Sequence, residues 1–306
     1  MQGLILLNKP KGITSFSAVN KLKWLAQEKR VGHTGTLDPL ATGLLPVFIG
    51  RATALAGIML DADKSYIADV KLGITTDTCD ITGTVLAEKS VSVTREQLLK
   101  ALEAFKGKIM QTPPIYSALK KDGVRLYELA RQGKTVDIEA REITVSSLEL
   151  LDFDGEAFKI SVDCSKGTYI RSLCRDIGEA LGCGATMTDL IRIATGGFDI
   201  KDAVSLDDLT RENITDYILP EETALTYLTE VKVTEKQAVR FSNGGQLSYE
   251  RLKNSDFSDG QLLRVKCGDT FLGVGCADNA NAQIAIKCVI NQWSVVSDQC
   301  TEDRKE

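Results

Sequence analysis

Two kinds of hydrophobic periodicity are interleaved along the chain, and this interleaving constrains the fold more than any other feature. Residues 66–72 and 158–164 alternate between apolar and polar side chains, as strands with one buried face do. Residues 170–180 carry apolar side chains at helical spacing, and Thr94 with Gln97 forms a capping box that begins another helix. Because strands and helices mix without regular βαβ alternation, we predict an α+β fold with a mixed, mostly antiparallel sheet.

The length of the chain and one acidic stretch predict two domains. A chain of 306 residues corresponds to roughly two domains of typical size. Residues 202–230 carry eight acidic side chains and one basic side chain, a larger excess than the net charge of −5 of the whole chain. From residue 262 onward, short strands separated by turn residues dominate. We therefore predict one domain at 1–229 and a small, β-rich domain at 230–306.

Charge and composition exclude several classes of protein. The chain has no run of 18 apolar residues and no signal-peptide core, so we expect a cytoplasmic protein that does not enter the membrane. Eight cysteines without a Cys-x-x-Cys pair, and a single histidine, argue against a zinc site and against a disulfide framework. The net negative charge argues weakly against nucleic acid, yet residues 1–60 carry seven basic and two acidic side chains. These basic residues indicate either a local basic surface or ordinary solvated helix faces.

Residues 30–43 are the segment in which the regular patterns break. Three glycines and Pro39 lie there among polar residues, between a predicted helix and a predicted buried strand at 44–49, after which 51–60 is predicted to be helical. Asp38 lies in the middle of this segment, and Pro39 favours an extended backbone at Asp38. A carboxylate on a rigid, irregular loop suits a nucleophile or a base, whereas most Asp-Pro pairs only cap a turn. The residues alone leave both interpretations open.

Other side chains are candidates for the same site. His33, the only histidine, is either structural or a group that stacks on a base or donates a hydrogen bond to phosphate. Tyr66 is either a half-buried core residue or a ring that stacks on a ligand. Tyr169 and Arg171 lie at a predicted strand-to-helix junction. There Arg171 either pairs with a buried carboxylate such as Asp38 or is an ordinary surface residue.

Five ordered segments within the first 200 residues carry the strongest functional signal. They are LLNKPKG at 6–12, GHTGTLDPLATG at 32–43, DKSY at 63–66, PPIYSALK at 113–120 and CSKGTYIR at 164–171. Together they resemble the bacterial tRNA pseudouridine-55 synthase family, also called the TruB family. The resemblance implies a pseudouridine-synthase-type catalytic domain. Residues 230–306 resemble the PUA-like module of the same family, mainly in position, size and strand texture.

The resemblance implies an enzyme that isomerises one uridine in the T-loop of tRNA, at position 55, to pseudouridine without a cofactor or a metal. It makes Asp38 the catalytic aspartate and Arg171 the cation that keeps Asp38 ionised. It makes Tyr66 the ring that stacks on the uracil and a candidate general base at C5. Whether the aspartate attacks C1′, adds to C6 or assists a glycal intermediate is left open.

The resemblance also assigns substrate contacts. Tyr169 and Leu190 would line the nucleoside pocket, while His33 would fill the space that the flipped nucleotide vacates. Lys9 would either support the Asp38 loop or touch phosphate. The PUA-like module would bind the far end of the acceptor arm of tRNA. Leu190 and Arg192, taken by themselves, are typical of the core and the rim of a strand.

The chain departs from the family pattern at three positions, where Ile191 and Thr75 replace common arginines and Arg51 replaces an acid or a lysine. Losing two arginines is expected to remove phosphate contacts and to weaken the salt dependence of RNA binding. Two alternatives to the tRNA isomerase are considered: a protein that binds or folds RNA without turnover, and the same chemistry on another RNA or in an RNA-guided complex. No protein partner is implied, and a monomer is expected.

Overall fold

The structure is a computed structural model that describes residues 1–117, 119–121, 123–133, 136–253 and 255–293. Its strands are β1 (Gly3–Lys9), β2 (Val31–His33), β3 (Thr42–Ile49), β4 (Lys64–Leu72), β5 (Ile74–Thr76), β6 (Val85–Glu88), β7 (Gly107–Gln111), β8 (Lys120–Lys121), β9 (Val124–Arg125), β10 (Arg141–Phe153), β11 (Ala157–Cys164), β12 (Ala185–Thr195), β13 (Phe198–Asp199), β14 (Val204–Ser205), β15 (Thr229–Lys232), β16 (Leu247–Ser248), β17 (Leu262–Cys267), β18 (Thr270–Asp278) and β19 (Gln283–Val289). Its α-helices are α1 (Ser15–Ala26), α2 (Ala56–Met59), α3 (Arg95–Glu103), α4 (Leu126–Arg131), α5 (Ile170–Ala180) and α6 (Glu235–Ser242).

A ten-stranded sheet forms the larger part of the molecule. The strand order is β14-β1-β3-β12-β4-β11-β10-β7, with β2 paired to β3 and β13 paired to β12. Among its described strands, the pairs β1–β14 and β3–β12 are parallel and the other neighbours are antiparallel. The predicted α+β class with a mixed, mostly antiparallel sheet is therefore confirmed.

Strand β1 shows that this sheet is covered on both faces. Ile5 and Leu7 lie in a core cluster that contains buried residues of helices α1, α3 and α5. Leu4 and Leu6 lie in a second cluster on the opposite face, which also contains Phe271 of the small C-terminal sheet. Because successive side chains of a strand point to opposite faces, a strand buried on both sides is almost continuously apolar.

The C-terminal part forms a separate five-stranded sheet of order β15-β17-β18-β19-β16. The three strands predicted there are present, as β17, β18 and β19. Helix α6 was not predicted, although Thr234 and Gln237 form the same kind of capping box that predicted α3. Residues 294–306 of the predicted second domain lie outside the described residues.

Two local predictions need correction. Residues predicted as one helix at 51–60 form a 3-10 helix, Gly50–Leu55, followed by the single α-helical turn of α2. The predicted irregular segment 30–43 begins with the short strand β2 and becomes irregular only at residues 34–41, which we call the Asp38 loop. Among the described residues, no helix is long and apolar enough to cross a membrane.

Candidate active site

The Asp38 loop is fixed to the elements that surround it. The hydroxyl of Ser15, at the start of α1, donates to the carbonyl oxygen of Leu37 at 3.0 Å and accepts from the amide of Leu37 at 2.8 Å. The amide of Gly12 donates to the carbonyl oxygen of Pro39 at 2.8 Å. These hydrogen bonds flank Asp38 on both sides, so its backbone is held although the loop has no regular structure.

Gly43 allows the end of this loop to approach the neighbouring strand closely. Its φ of +102° is a conformation that side-chain-bearing residues rarely adopt, and a Cβ atom there would overlap the backbone of Arg192. Gly43 and Arg192 are register partners in the parallel pair of β3 and β12. The glycine therefore places the Asp38 loop against β12.

Asp38 forms an ion pair with a buried arginine. The Nε atom of Arg171 lies 2.9 Å from Oδ2 of Asp38, and the side chain of Arg171 is 6% exposed. The side chain of Asp38 is 36% exposed, so one side of the carboxylate remains open to a substrate. The pairing that the sequence left open for Arg171 is present in the structure.

A second carboxylate belongs to the same cluster, and the sequence analysis missed it. This carboxylate belongs to Asp80, on the loop between β5 and β6, and its Oδ2 lies 3.5 Å from Nη1 of Arg171. Arg171 also donates to the carbonyl oxygens of Thr78 at 3.0 Å and Tyr116 at 2.9 Å. The guanidinium is thus fully engaged between two carboxylates and two carbonyl groups, which fixes its orientation.

Burial and three charged groups act on the ionisation of Asp38. Burial raises the pKa of the Asp38 carboxyl, the guanidinium of Arg171 opposes this, the nearby Asp80 raises the pKa again, and Lys9 lowers it. The pair of carboxylates around one guanidinium therefore makes Asp38 more basic than an isolated ion pair would.

Tyr66 and Tyr169 lie near this ion pair, and Leu190 lies beside Tyr66 on the same face of the sheet. Tyr66 and Leu190 are buried on the adjacent strands β4 and β12. Tyr169 precedes helix α5, and Gln111 accepts from its amide at 2.8 Å and donates to its carbonyl at 3.1 Å. Burial raises the pKa of both tyrosine hydroxyls, and Asp38 is close enough to raise them as well. The structure thus brings Tyr66 and Tyr169 close to Asp38, while the pocket predicted for these side chains and Leu190 stays a prediction.

His33 ends strand β2 at the edge of the same cluster. Its Nδ1 accepts a hydrogen bond from the amide of Gly35 at 3.2 Å, so the proton of the neutral ring is on Nε2. Burial lowers the pKa of His33, and the positive charge of Arg192 lowers it further. His33 is therefore a neutral, half-buried ring at physiological pH.

Lys9 lies inside the protein instead of on an RNA-binding surface. It is fully buried, and its Nζ donates to the carbonyl oxygens of Pro10 at 2.8 Å and Ile13 at 2.9 Å. A substrate contact by Lys9 is therefore not supported by its placement. Of the two roles left open, support of the turn next to the Asp38 loop fits its position.

Lys9 should make the stability of the protein depend on pH in the alkaline range. Burial lowers the pKa of Lys9 from 10.5 to about 8, although Asp38 opposes this shift. Between these two pH values the unfolded chain binds the proton that the folded chain has lost, so the Lys9 contribution to stability rises with pH. We expect the unfolding free energy of the native protein to rise by about 2 kcal/mol relative to Lys9→Met between pH 8 and pH 10. Urea unfolding of both proteins measures this difference, and a constant difference would show that Lys9 keeps its proton.

Arg192 is not at the rim of its strand. It is fully buried, on the same face of β12 as Leu190, and it is among the largest fully buried side chains. The other departures from the family pattern are more exposed: Thr75 and Ile191 are half-buried and Arg51 is exposed. Arg51 follows the end of β3 that is remote from the Asp38 loop, so it does not belong to the site.

Groups that hold metal or form disulfides are not evident in the described part of the chain. It contains no cluster of three or more histidine, cysteine, aspartate or glutamate side chains placed to hold a metal ion. Its seven cysteines are free, and Cys300 lies outside the described residues.

Comparison with known proteins identifies the family. The model of the TruB family pseudouridylate synthase N-terminal domain matches residues 23–170, and that of the tRNA pseudouridylate synthase B C-terminal domain matches residues 171–226. The chain is 43% identical over 276 residues to tRNA pseudouridine synthase B of Clostridium kluyveri. This match covers 90% of this chain and 95% of that protein. It is 47% identical over 279 residues to the protein of the same name from Azoarcus sp., covering 90% and 91%.

A solved structure agrees with these sequence matches. A chain in the crystal structure of a Cbf5–Nop10–Gar1 complex has a TM-score of 0.76 and 26% identity, covering 95% of this chain and 86% of that chain. The fold and the matched domains define a pseudouridine synthase, an enzyme that isomerises uridine to pseudouridine. The chain belongs to the TruB family of pseudouridylate synthases.

Proposed function

We propose that this enzyme isomerises the uridine at position 55, in the T-loop of tRNA, with Asp38 as the nucleophile. One observation carries the proposal. The Asp38 carboxylate is partly open to solvent while Arg171 holds it at 2.9 Å from the buried side. A protein that only binds RNA gains nothing from a desolvated carboxylate, which repels phosphate, whereas a nucleophile needs one.

In the proposed reaction the uracil leaves its N1–C1′ bond, turns and rejoins the ribose through C5. Asp38 either attacks C1′, adds to C6 or assists a glycal intermediate. Each of these routes requires an ionised carboxylate within bonding distance of the nucleoside. The ion pair with Arg171 supplies that ionised state in a site whose burial disfavours it.

The other side chains would bind the flipped nucleoside. Tyr66 would stack on the uracil and accept the C5 proton, while Tyr169 and Leu190 would line the pocket. His33 would take the place of the nucleotide in the T-loop. A neutral half-buried ring suits that role, because stacking on neighbouring bases needs no charge. Flipping costs a few kcal/mol, and it costs least for a base that already lies in a loop.

We also propose the division into a catalytic domain at 1–229 and a PUA-like domain at 230–306 that binds the acceptor arm. The five strands of the second sheet lie between Thr229 and Val289, so the first of them begins one residue before the proposed boundary, and they enclose a core of their own. The shared cluster that contains Phe271 joins the two parts. A cytoplasmic location stays a prediction that follows from tRNA as the substrate.

Tritium release tests this function. Purified protein is incubated with an unmodified tRNA transcript that carries tritium at C5 of its uridines, without added metal or nucleotide. We expect release from one position, and none from a matched transcript with cytidine at position 55. Tight binding without release would instead indicate an RNA-binding or RNA-folding protein, and release from another position would change the target.

A further inference from the structure

Arg192 is a fully buried guanidinium without a carboxylate partner among the described residues. Its Nε donates to the carbonyl oxygen of Leu44 at 2.7 Å, and its Nη2 donates to that of Gly35 at 3.1 Å. Its Nη1 is buried and has no hydrogen-bond partner. Burying a charge against neutral carbonyl groups alone is costly. A negative charge that forms beside this cation during the reaction would therefore be stabilised.

Tyr66 lies directly across the sheet from Arg192. The register of β4 and β12 pairs the Cα atoms of the two residues, and both side chains are buried on the same face. Opposite residues of an antiparallel pair have Cβ atoms about 5 Å apart, so the guanidinium reaches the region of the tyrosine ring. Burial raises the pKa of the Tyr66 hydroxyl, and the guanidinium of Arg192 opposes this rise.

Arg192 acts electrostatically on three other basic side chains. Burial lowers the pKa values of His33 and Lys64, and Arg192 lowers both further. Arg192 also lowers the pKa of Lys9. Asp38 acts on Lys9 but is already paired with Arg171, and it forms no ion pair with Arg192. A phenolate on Tyr66 is the negative charge that the arrangement would stabilise.

We propose that Arg192 is a positioning residue for the reaction, which orients the Tyr66 hydroxyl and serves as the counter-ion of the Tyr66 phenolate. This inference rests on the proposed function, in which Tyr66 removes the C5 proton. After C1′ has bonded to C5, the phenolate oxygen takes the proton from C5. The electron pair of the C5–H bond then forms the C5=C6 double bond of pseudouridine, while the C6=N1 electron pair moves onto N1, which takes up a proton. If Asp38 has added to C6, its carboxylate leaves C6 instead as the double bond forms. The neutral phenol later returns its proton to solvent, which restores the phenolate.

The competing explanation is that Arg192 only fastens the Asp38 loop to β3 through Gly35 and Leu44. Three variants separate the two roles: Arg192→Gln, Arg192→Lys and Tyr66→Phe. Arg192→Gln removes the charge, whereas Arg192→Lys keeps the charge but loses the planar fork that serves two carbonyl groups at once. If Arg192→Gln fails to fold, Arg192→Met, which also removes the charge but keeps an unbranched side chain, carries the same measurements.

The first measurement is a double-mutant cycle on the rate constant of a single turnover, measured with enzyme in excess over tRNA and called kcat here. We expect Arg192→Gln to lower kcat by about 10²-fold when Tyr66 is present, the usual contribution of a general base. In the Tyr66→Phe background the same change should have no further effect, because residues that act through one another are not additive. Equal losses in both backgrounds would overturn the proposal in favour of a fastening role. Arg192→Lys should recover most of the lost rate.

The second measurement is the isotope effect on kcat with tRNA that carries deuterium at C5. Removal of the counter-ion slows the proton transfer, so this step limits the overall rate more in Arg192→Gln. The isotope effect should therefore be larger in the variant than in the native enzyme. The rise of kcat with pH should also move to higher pH in the variant. The charged and titratable groups that act on Tyr66 are Arg192 from β12, Cys164 from β11 and Asp38 from its loop. Lys64 lies two residues before Tyr66 on β4 and acts on Arg192 and Cys164. Of these groups, only Arg192 differs between the native enzyme and the Arg192→Gln variant.

The experiments distinguish a failure of the proposed function from a failure of the role proposed for Arg192. If the native protein releases no C5 hydrogen, the proposed function is wrong. If the native protein forms pseudouridine while a folded Arg192 variant shows an unchanged isotope effect and an unchanged pH profile, only the role of Arg192 is wrong.

Discussion

Replacing Asp38 with asparagine is expected to abolish pseudouridine formation while tRNA binding persists. Asparagine keeps the shape of the side chain but cannot act as a nucleophile, so turnover should fall by at least about 10³-fold. Binding should stay within a few-fold of the native value, because affinity for RNA comes mainly from contacts to phosphate and from stacking. Tritium release and a filter-binding assay on the same preparations measure the two quantities.

Two further variants make this result specific. Asp38→Glu keeps the charge but displaces the carboxylate by about one bond length, and such a displacement costs about 10²-fold in rate. Asp69→Asn is the matched control, since Asp69 lies on β4 close to Tyr66 but pairs with Lys159 away from the site. The control should turn over at the native rate. Normal turnover by Asp38→Asn would show that another group is the nucleophile.

The sequence predicted those parts of the fold in which one residue pattern decides the local structure. Strands β4 and β11 alternate strictly because one face of each is more buried than the other. Helix α3 was found from its capping box, and α6 could have been found in the same way from Thr234 and Gln237. The 3-10 helix Gly50–Leu55 could not be found, since its apolar pattern does not distinguish it from an α-helix.

The candidate site was predicted where motifs carried it and missed where contacts distant in sequence formed it. Asp38 and Arg171 were found in two motifs, and the structure brings them within 2.9 Å. Asp80 reaches the same guanidinium from a loop that has no distinctive pattern of its own. Arg192 was misjudged because a charged residue in a strand is usually at the surface, whereas here the pairing of β12 with β3 and β4 buries it.

Replacing Arg171 with leucine is expected to affect stability and activity together. The change leaves the carboxylates of Asp38 and Asp80 without their common cation, and it removes the donors to Thr78 and Tyr116. Breaking a buried ion pair from one side costs about 3–5 kcal/mol, so the variant should unfold at clearly lower urea concentration. Turnover should fall by at least about 10²-fold, because the nucleophile loses its orientation and part of its ionisation.

The pH dependence distinguishes this explanation from a general loss of packing. In the native protein the pKa of Asp38 is already raised, and loss of the guanidinium raises it further. A carboxyl whose folded-state pKa exceeds its unfolded value binds its proton first in the folded state. The stability of Arg171→Leu should therefore recover as the pH falls through that raised pKa, and the difference from the native protein should shrink. The acid limb of its kcat profile should move to higher pH.

Arg171→Lys and Arg175→Gln complete the experiment. A lysine keeps the charge, but its single ammonium group does not match the fork that reaches both carboxylates and both carbonyl groups, so an intermediate loss is expected. Arg175 lies one turn further along α5, is partly exposed and pairs with Asp176, and its replacement should change stability by less than about 1 kcal/mol. A destabilisation of Arg171→Leu that is the same at every pH would mean that Arg171 acts through packing, and that Asp38 does not depend on it for its charge.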